Sequence, residues 1–200
     1  MMPTSNHINL DGQPQYGQVI WLTGLSAAGK TTLGRKLCSH LRDLGYRVDQ
    51  LDGDEVRRDL CSDLGFSPAD RDENVRRIGQ LAHMFAGQGH IVVVSAMSPF
   101  RQARAKLREF IPNFVEVYVN APVEVCEKRD RKGLYQRARV GQLCDVPGVD
   151  LPYEPPPQPR FECRTDRETI EESLQKMLAY VLPLLPAAAL LSCHPECAEP

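Results

Sequence analysis

Short apolar runs alternate along this chain with stretches in which apolar residues recur at helical spacing. Val19-Ile20-Trp21-Leu22-Thr23 runs into Gly24, and a stripe at Leu33, Leu37, Leu41 and Leu44 follows, closed by Gly45 in a left-handed cap position. Arg47 to Leu51 predicts a second strand, ending at Asp52-Gly53-Asp54. A long helix carries Val75, Ile78, Leu81, Ala82 and Phe85 on one face and stops at Gly87 and Gly89. Ile91-Val92-Val93-Val94-Ser95 is β-branched without a break, the character of a strand covered on both faces. A helix over 99–110, a strand over 114–119 and a helix over 122–129 continue the alternation. This order predicts an α/β fold, a doubly wound and mainly parallel sheet flanked by helices, with right-handed crossovers.

The pattern breaks between 130 and 160. Lys132, Arg137 and Arg139 cluster there, and Pro147, Pro152, Pro155, Pro156, Pro157 and Pro159 interrupt regular structure, so the segment reads as a lid or a linker. A last amphipathic helix with Ile170, Leu174, Met177, Leu178 and Val181 on one face packs back on the sheet. The expected organisation is a polar N-terminal segment (1–17), one domain (18–185, lid about 130–160) and a flexible Pro-containing tail (186–200).

Composition narrows the class. The 24 Lys+Arg and 26 Asp+Glu give a formal net charge of -2, which lacks the positive field that nucleic acid or anionic lipid requires. Neither nucleic acid nor a membrane is an expected partner. Residues 1–18 lack the apolar core of a signal peptide, and Val181 to Leu191 is too short and too Pro-broken to span a bilayer. The seven cysteines are odd in number and mostly single within apolar patterns, as reduced thiols are, so a cytoplasmic location is expected. Cys193-His194-Pro195-Glu196-Cys197 has no second ligand pair and reads as incidental.

The chemistry concentrates at Gly24-Leu25-Ser26-Ala27-Ala28-Gly29-Lys30-Thr31, which fits G-x-x-x-x-G-K-[ST] between a buried strand and a helix. Glycines let the backbone wrap phosphate oxygens, and the helix N-terminus adds partial positive charge. Lys30 is placed to bridge the β- and γ-phosphates, and the Thr31 hydroxyl to hold Mg²⁺. The Ile91 strand ends without an acid, which leaves Asp52 and Asp54 as the carboxylates at a strand's C-terminal end near this loop. Asp54 can take or orient an acceptor hydroxyl's proton, while Asp52 orders the metal's waters. The alternative is a solvated Asp-Gly-Asp turn. Arg71 and Asn74, three apart on a helix, either clamp an anionic acceptor or belong to a solvated face paired with Asp70, Asp72 and Glu73. Ser98 lies at the mouth of the site or serves as an N-cap.

These residues resemble the adenylylsulfate kinase (APS kinase) family from about Val19 to Glu154, with weaker similarity through the last helix. The resemblance rests on WLTGLSAAGKTT (21–32), LDGDEVR (51–57), LGFSPADRDENVRRIG (64–79), SPFR (98–101) and VCEKRDRKGLYQRAR (125–139). It implies a P-loop NTPase fold with a mobile lid at Lys132 to Arg139, and transfer of the γ-phosphoryl of ATP to the 3′-hydroxyl of adenosine 5′-phosphosulfate (APS). The products are the activated sulfate donor PAPS and ADP, Mg²⁺ is the cofactor, and a homodimer is the expected assembly. The resemblance assigns ATP to Gly24 through Gly29, Lys30, Thr31, Thr32 and Arg129, and the metal to Thr31 and Asp52. It assigns the acceptor to Asp54, Arg57, Phe66, Arg71, Asn74, Ser98 and Lys132, with Phe66 stacked on the acceptor's adenine. Lys30, Asp54 and Ser98 are the implied catalytic residues. Ser98 matches a serine described in the family as a phosphoserine intermediate, but positioning and charge stabilisation favour direct in-line transfer.

Two departures stand out. Where the family reads about K-x-F-T-G-[IV]-D, this chain reads Cys144-Asp145-Val146-Pro147-Gly148-Val149-Asp150, so Val146 replaces an aromatic opposite Phe66 unless Tyr153 moves in. A lost base stack weakens acceptor binding by about 1–3 kcal/mol. Ala27-Ala28 lacks a glycine often found in the loop. The competing readings are a P-loop kinase of another small molecule, such as a nucleoside monophosphate or a sugar, and a non-catalytic nucleotide-binding module. The retained Lys30, Thr31, Asp52 and Asp54 argue against the module.

Overall fold

Every residue of strand β1 (Gln18–Thr23) and of β3 (Ile91–Ser95) is buried, and the two lie side by side near the middle of a five-stranded sheet. The computed structural model describes residues 16–185. Its elements run β1, α1 (Lys30–Asp43), β2 (Val48–Asp52), α2 (Gly53–Asp59), α3 (Pro68–Gly87), β3, α4 (Arg101–Phe110), β4 (Phe114–Asn120), α5 (Val123–Lys128), α6 (Leu134–Arg139), β5 (Phe161–Arg164) and α7 (Ile170–Val181), followed by a 3-10 turn at Leu182–Leu184. The strand order is β2-β3-β1-β4-β5 and every pairing is parallel.

The strand's two-residue period divides the hydrophobic runs between two cores. Val19, Trp21, Val92 and Val94 pack with Val75, Ile78, Ala82 and Leu107 of α3 and α4. Ile20, Leu22, Val93 and Val117 pack with Leu33, Leu37 and Leu41 of α1 and with Leu174, Met177 and Leu178 of α7. A run of apolar residues thus serves both faces at once, and the sheet is doubly wound as expected. Gly79 is where α3 meets α4, since a Cβ there would lie 2.2 Å from Leu107 Cδ2.

The boundaries differ from the sequence reading in informative places. Helix α2 begins directly after β2, N-capped by the Asp52 side chain, which accepts from the Asp54 N–H at 3.0 Å. Helix α6 lies within the 130–160 stretch that reads as irregular, and strand β5 follows that stretch directly, where the sequence shows no strand pattern. Ile170 is 47% exposed, so it stands outside the core that Leu174, Met177, Leu178 and Val181 enter. Helix α7 starts at a capping box, Thr169 with Glu172. The 130–160 segment is not uniformly loose: Asp150 accepts from the N–H groups of Asp145 and Val146 at 2.8 and 2.7 Å, and Glu154 N–H donates to Pro99 O at 2.9 Å. No helix among the described residues is long and apolar enough to cross a membrane. The 1–15 part of the N-terminal segment, the 186–200 tail and the Cys193–Cys197 pair lie outside the described residues.

Candidate active site

A cavity of about 910 Å³ opens at the C-terminal ends of β1, β2 and β3, the end of a parallel sheet at which ligands bind. Its floor is the turn between β1 and α1. Gly24 has φ 152°, and a Cβ there would lie 2.2 Å from the Val119 carbonyl oxygen, so only glycine lets the loop cross β4 this closely. Gly29, at φ 106°, forms the N-cap of α1. Ala27 also sits in the left-handed region, at φ 58°. A Cβ in that conformation costs roughly 1 kcal/mol, which is the physical consequence of lacking a glycine there. The first turn of α1 directs its free N–H groups and dipole at the cavity.

Lys30 curls back beneath the loop, its Nζ donating to the carbonyls of Gly24 at 2.9 Å and Leu25 at 2.7 Å. Burial pushes its pKa down to about 8, against the opposing pull of Asp54 and Asp52. Beside it, the Thr31 hydroxyl donates to Asp52 Oδ2 at 2.8 Å. Asp52 is buried and its other oxygen caps α2. Asp54, one turn on, is exposed and forms an ion pair with Lys132 from the segment before α6.

At the far side of the cavity, Phe66 is 57% exposed and carries two guanidinium groups, Arg57 at 4.3 Å and Arg71 at 5.6 Å from its ring centroid. Arg57 donates to the carbonyls of Leu64 and Gly65, and Arg71 Nη2 donates to Asp145 O at 2.5 Å. Arg71 Nε and Asn74 Oδ1 are buried without a hydrogen-bond partner, and both residues line the cavity. Orphaned polar atoms on residues that line a cavity are within reach of a polar ligand's own donors and acceptors once it displaces the lining. Burial, reinforced by Arg57, also lowers the Arg71 pKa, so an anion there relieves both effects. The solvated-face alternative holds for the neighbours instead: Glu73 pairs with Arg76 and Arg77, and Arg77 also with Asp63.

Val146 lines the cavity but is 2% exposed, packed into the core beneath α6 rather than standing across from Phe66 as a free platform. Tyr153 does not replace the missing aromatic. It turns inward, stacks on Tyr118 with ring centroids 6.0 Å apart, and its hydroxyl lies 3.0 Å from Thr23 Oγ1.

Ser98 is 3% exposed, with φ 39°. Its hydroxyl accepts from Trp21 Nε1 at 3.0 Å and shares a 2.9 Å hydrogen bond with Thr23 Oγ1. It does not cap α4, whose N-cap is Phe100. The turn around it nevertheless lines the cavity through Met97, Ser98 and Pro99.

Sequence reasoning passed over Thr165 and Tyr135. Arg129 donates through both terminal nitrogens to Thr165, at 3.2 and 2.7 Å, and Thr165 Oγ1 donates to Ala28 O of the loop at 2.7 Å. Thr165 follows β5, a strand with no legible pattern. Tyr135 is fully buried, and its hydroxyl donates to Ser26 O at 3.0 Å. A lone tyrosine among the cations of 131–139 was the available signal. The remaining loop residues Leu25, Ser26, Ala28 and Thr32 lie at the positions the motif assigns them, between β1 and the first turn of α1.

Residues 16–164 match the family model described as adenylylsulphate kinase. The adenylyl-sulfate kinase of Rippkaea orientalis is 56% identical over 163 residues, covering 82% of this chain and 90% of its own. The structure of the Mycobacterium tuberculosis APS kinase in complex with AMPPNP and APS superposes with a TM-score of 0.80 at 39% identity, over 84% of this chain and 99% of that one. A hexameric APS kinase from Thiobacillus denitrificans gives a TM-score of 0.62 at 34% identity, over 85% of this chain and 30% of that one. With the family model spanning most of the chain and the phosphate loop, acids and cations gathered on one cavity, this protein belongs to the adenylylsulfate kinase family.

Proposed function

We infer that this chain transfers the γ-phosphoryl of ATP to the 3′-hydroxyl of APS, giving PAPS and ADP. The observation that carries the reading is the shared cavity. A phosphate-cradling loop with Lys30 forms one side of it, and Phe66, Arg57, Arg71 and Asn74, two of them with orphaned polar atoms, form the other. Such a layout favours transfer between two bound nucleotides, because catalysis of this reaction is mostly positioning and charge stabilisation.

In this reading the Walker-type loop from Gly24 to Thr32 binds the phosphates of ATP, and Arg129, braced on Thr165, flanks its base. Thr31 and Asp52 place two hard oxygen donors 2.8 Å apart, a set that suits Mg²⁺, which keeps several waters and takes few protein ligands. Bound there, Mg²⁺ supplies charge neutralisation to the phosphate oxygens. Phe66 stacks on the acceptor's adenine, and Arg57, Arg71, Asn74 and Lys132 hold its phosphosulfate. Asp54 accepts the proton of the 3′-hydroxyl. Its carboxylate is in reach of solvent and paired to Lys132, so movement of that lysine onto the acceptor's anionic group frees the carboxylate for the hydroxyl. Ser98 acts through its turn and the buried bonds of its hydroxyl, in keeping with direct transfer. The 130–160 segment is the lid, anchored at α6 by the Tyr135 hydroxyl on Ser26 O and near its far end by Glu154 N–H on Pro99 O.

The same reading makes the protein a cytoplasmic homodimer with its cysteines reduced. Cys38, Cys61, Cys126, Cys144 and Cys163 are free. Sedimentation equilibrium checks the assembly. Incubation with Mg·ATP and APS, with chromatography of the products, tests the activity: a 3′-phosphorylated product is expected. Phosphorylation of AMP or a sugar but not APS rejects the assignment in favour of another small-molecule kinase.

A further inference from the structure

Arg104 is the most deeply enclosed cation in the described protein, 2% exposed, and it touches none of the cavity. Its Nε donates to Glu116 Oε1, Nη1 to Ser98 O and Nη2 to Glu154 O, each at 2.6 Å. The guanidinium carbon lies 5.7 Å from the centroid of the Tyr153 ring. Glu116 has a second cation, since its other oxygen accepts from Arg108 at 2.6 Å. Burying a guanidinium is a poor route to stability, because an apolar side chain of similar volume commonly serves as well or better. What an apolar side chain does not do is bond two main-chain carbonyls from separate segments in one plane.

Those two carbonyls lead to the same half of the cavity. Ser98, at φ 39°, holds a backbone conformation that a residue with a Cβ adopts only under constraint, and its turn lines the cavity. Glu154 ends the return from the 145–151 turn, whose Gly148 N–H donates to Leu151 O at 2.8 Å and whose Asp145 O accepts from Arg71. The zipper is completed by Glu154 N–H on Pro99 O at 2.9 Å and Arg101 N–H on Glu154 Oε2 at 2.8 Å. The nucleotide-side contacts, Lys30 on Gly24 and Leu25, Arg129 on Thr165, and Thr165 on Ala28, involve none of these groups.

We propose that Arg104 is a positioning residue for the acceptor half of the site, setting the Ser98 turn and the 145–154 turn relative to each other so that Arg71, bonded to Asp145 O, meets the acceptor. The proposal rests on the assignment of APS as acceptor.

The experiment is steady-state kinetics with ATP and APS varied in turn, on wild type, Arg104→Lys, Arg104→Met and Arg108→Ala, together with thermal melts. Arg104→Lys keeps a cation beside Glu116 but not the three-way bond. Arg104→Met leaves Glu116 paired with Arg108, and if it fails to fold, Arg104→Lys decides. The KM for APS is expected to rise at least about tenfold in both Arg104 variants, a loss of about 1.4 kcal/mol, with the KM for ATP within about twofold of wild type. Arg108→Ala, which removes a cation from the same glutamate and no carbonyl contact, is expected to leave both KM values within about twofold. Full rescue by lysine, parallel changes in both KM values, a change confined to kcat or to the melting temperature, or an equal effect of Arg108→Ala overturns the proposal. Wild-type protein that turns over no APS sinks the functional assignment itself, which separates that failure from this one.

Discussion

The Tyr135 hydroxyl donates to the Ser26 carbonyl at 3.0 Å, joining helix α6 to the middle of the phosphate loop across 109 residues of chain. Burial raises the phenol pKa, so the group stays a donor throughout the neutral range. Tyr135→Phe removes one hydrogen bond, worth about 1 kcal/mol. The expected outcome is a melting temperature lower by roughly 2–4 °C and a several-fold higher KM for ATP, with the KM for APS little changed. Calorimetry and two-substrate kinetics check it.

Lys30 provides a pH signature. With its pKa pushed down to about 8, the folded protein without phosphate bound loses the ammonium as pH rises through that value. Only the ammonium attracts the β- and γ-phosphates, so kcat/KM for ATP is expected to fall above about pH 8. Bound ATP holds the proton, so kcat at saturating ATP stays level to higher pH. The stability effect has the opposite sense. An unfolded lysine titrates near 10.5, so between about 8 and 10.5 the unfolded chain binds more protons than the folded one and the Lys30 contribution to stability rises with pH. Arms that fall together for kcat and kcat/KM contradict the assignment of Lys30 to the phosphates.

Asp52 has two duties that substitution separates. One oxygen faces Thr31 and the other caps α2. Asp52→Asn keeps a capping oxygen and removes the charge, so the Mg²⁺ concentration for half-maximal rate is expected to rise at least about tenfold with little change in melting temperature. Asp52→Ala is expected to add a stability loss of about 1 kcal/mol. Magnesium titrations and melts on the same samples distinguish the two duties.

Ser98→Ala leaves the buried Trp21 Nε1–H without its acceptor, at a cost of about 1–3 kcal/mol of stability. Turnover is expected to remain within about tenfold of wild type, and rapid quenching with labelled ATP is expected to find no phosphoprotein. A variant that binds both substrates but transfers no phosphoryl group shows instead that the hydroxyl takes part in the chemistry.

Much of the fold is legible because its signals are local. The apolar runs at 19–23 and 91–95 and the stripe at 33–44 each report their own element, and a strand buried on both faces must be apolar throughout. Three elements are not legible for equally local reasons. Helix α2 is polar and buries no side chain, β5 is a four-residue edge strand with only Cys163 buried, and α6 is six residues of which only Tyr135 is buried. The phosphate loop is readable because its glycines answer to backbone geometry, as Gly24 against Val119 shows.

The sequence by itself determined the alternating architecture, the phosphate loop, the acids Asp52 and Asp54, and the set of residues that carries the family resemblance. These depend on neighbours within a few positions, where spacing and side-chain type are sufficient. Only the tertiary structure decided that Ser98 faces Trp21 and Thr23, that Tyr153 turns inward rather than covering the acceptor, that Tyr135 and Thr165 brace the loop, and that Arg104 joins two distant carbonyls. Each of those is a contact between segments far apart in the chain. Its direction is set by how the sheet and helices pack, which no short stretch of sequence encodes.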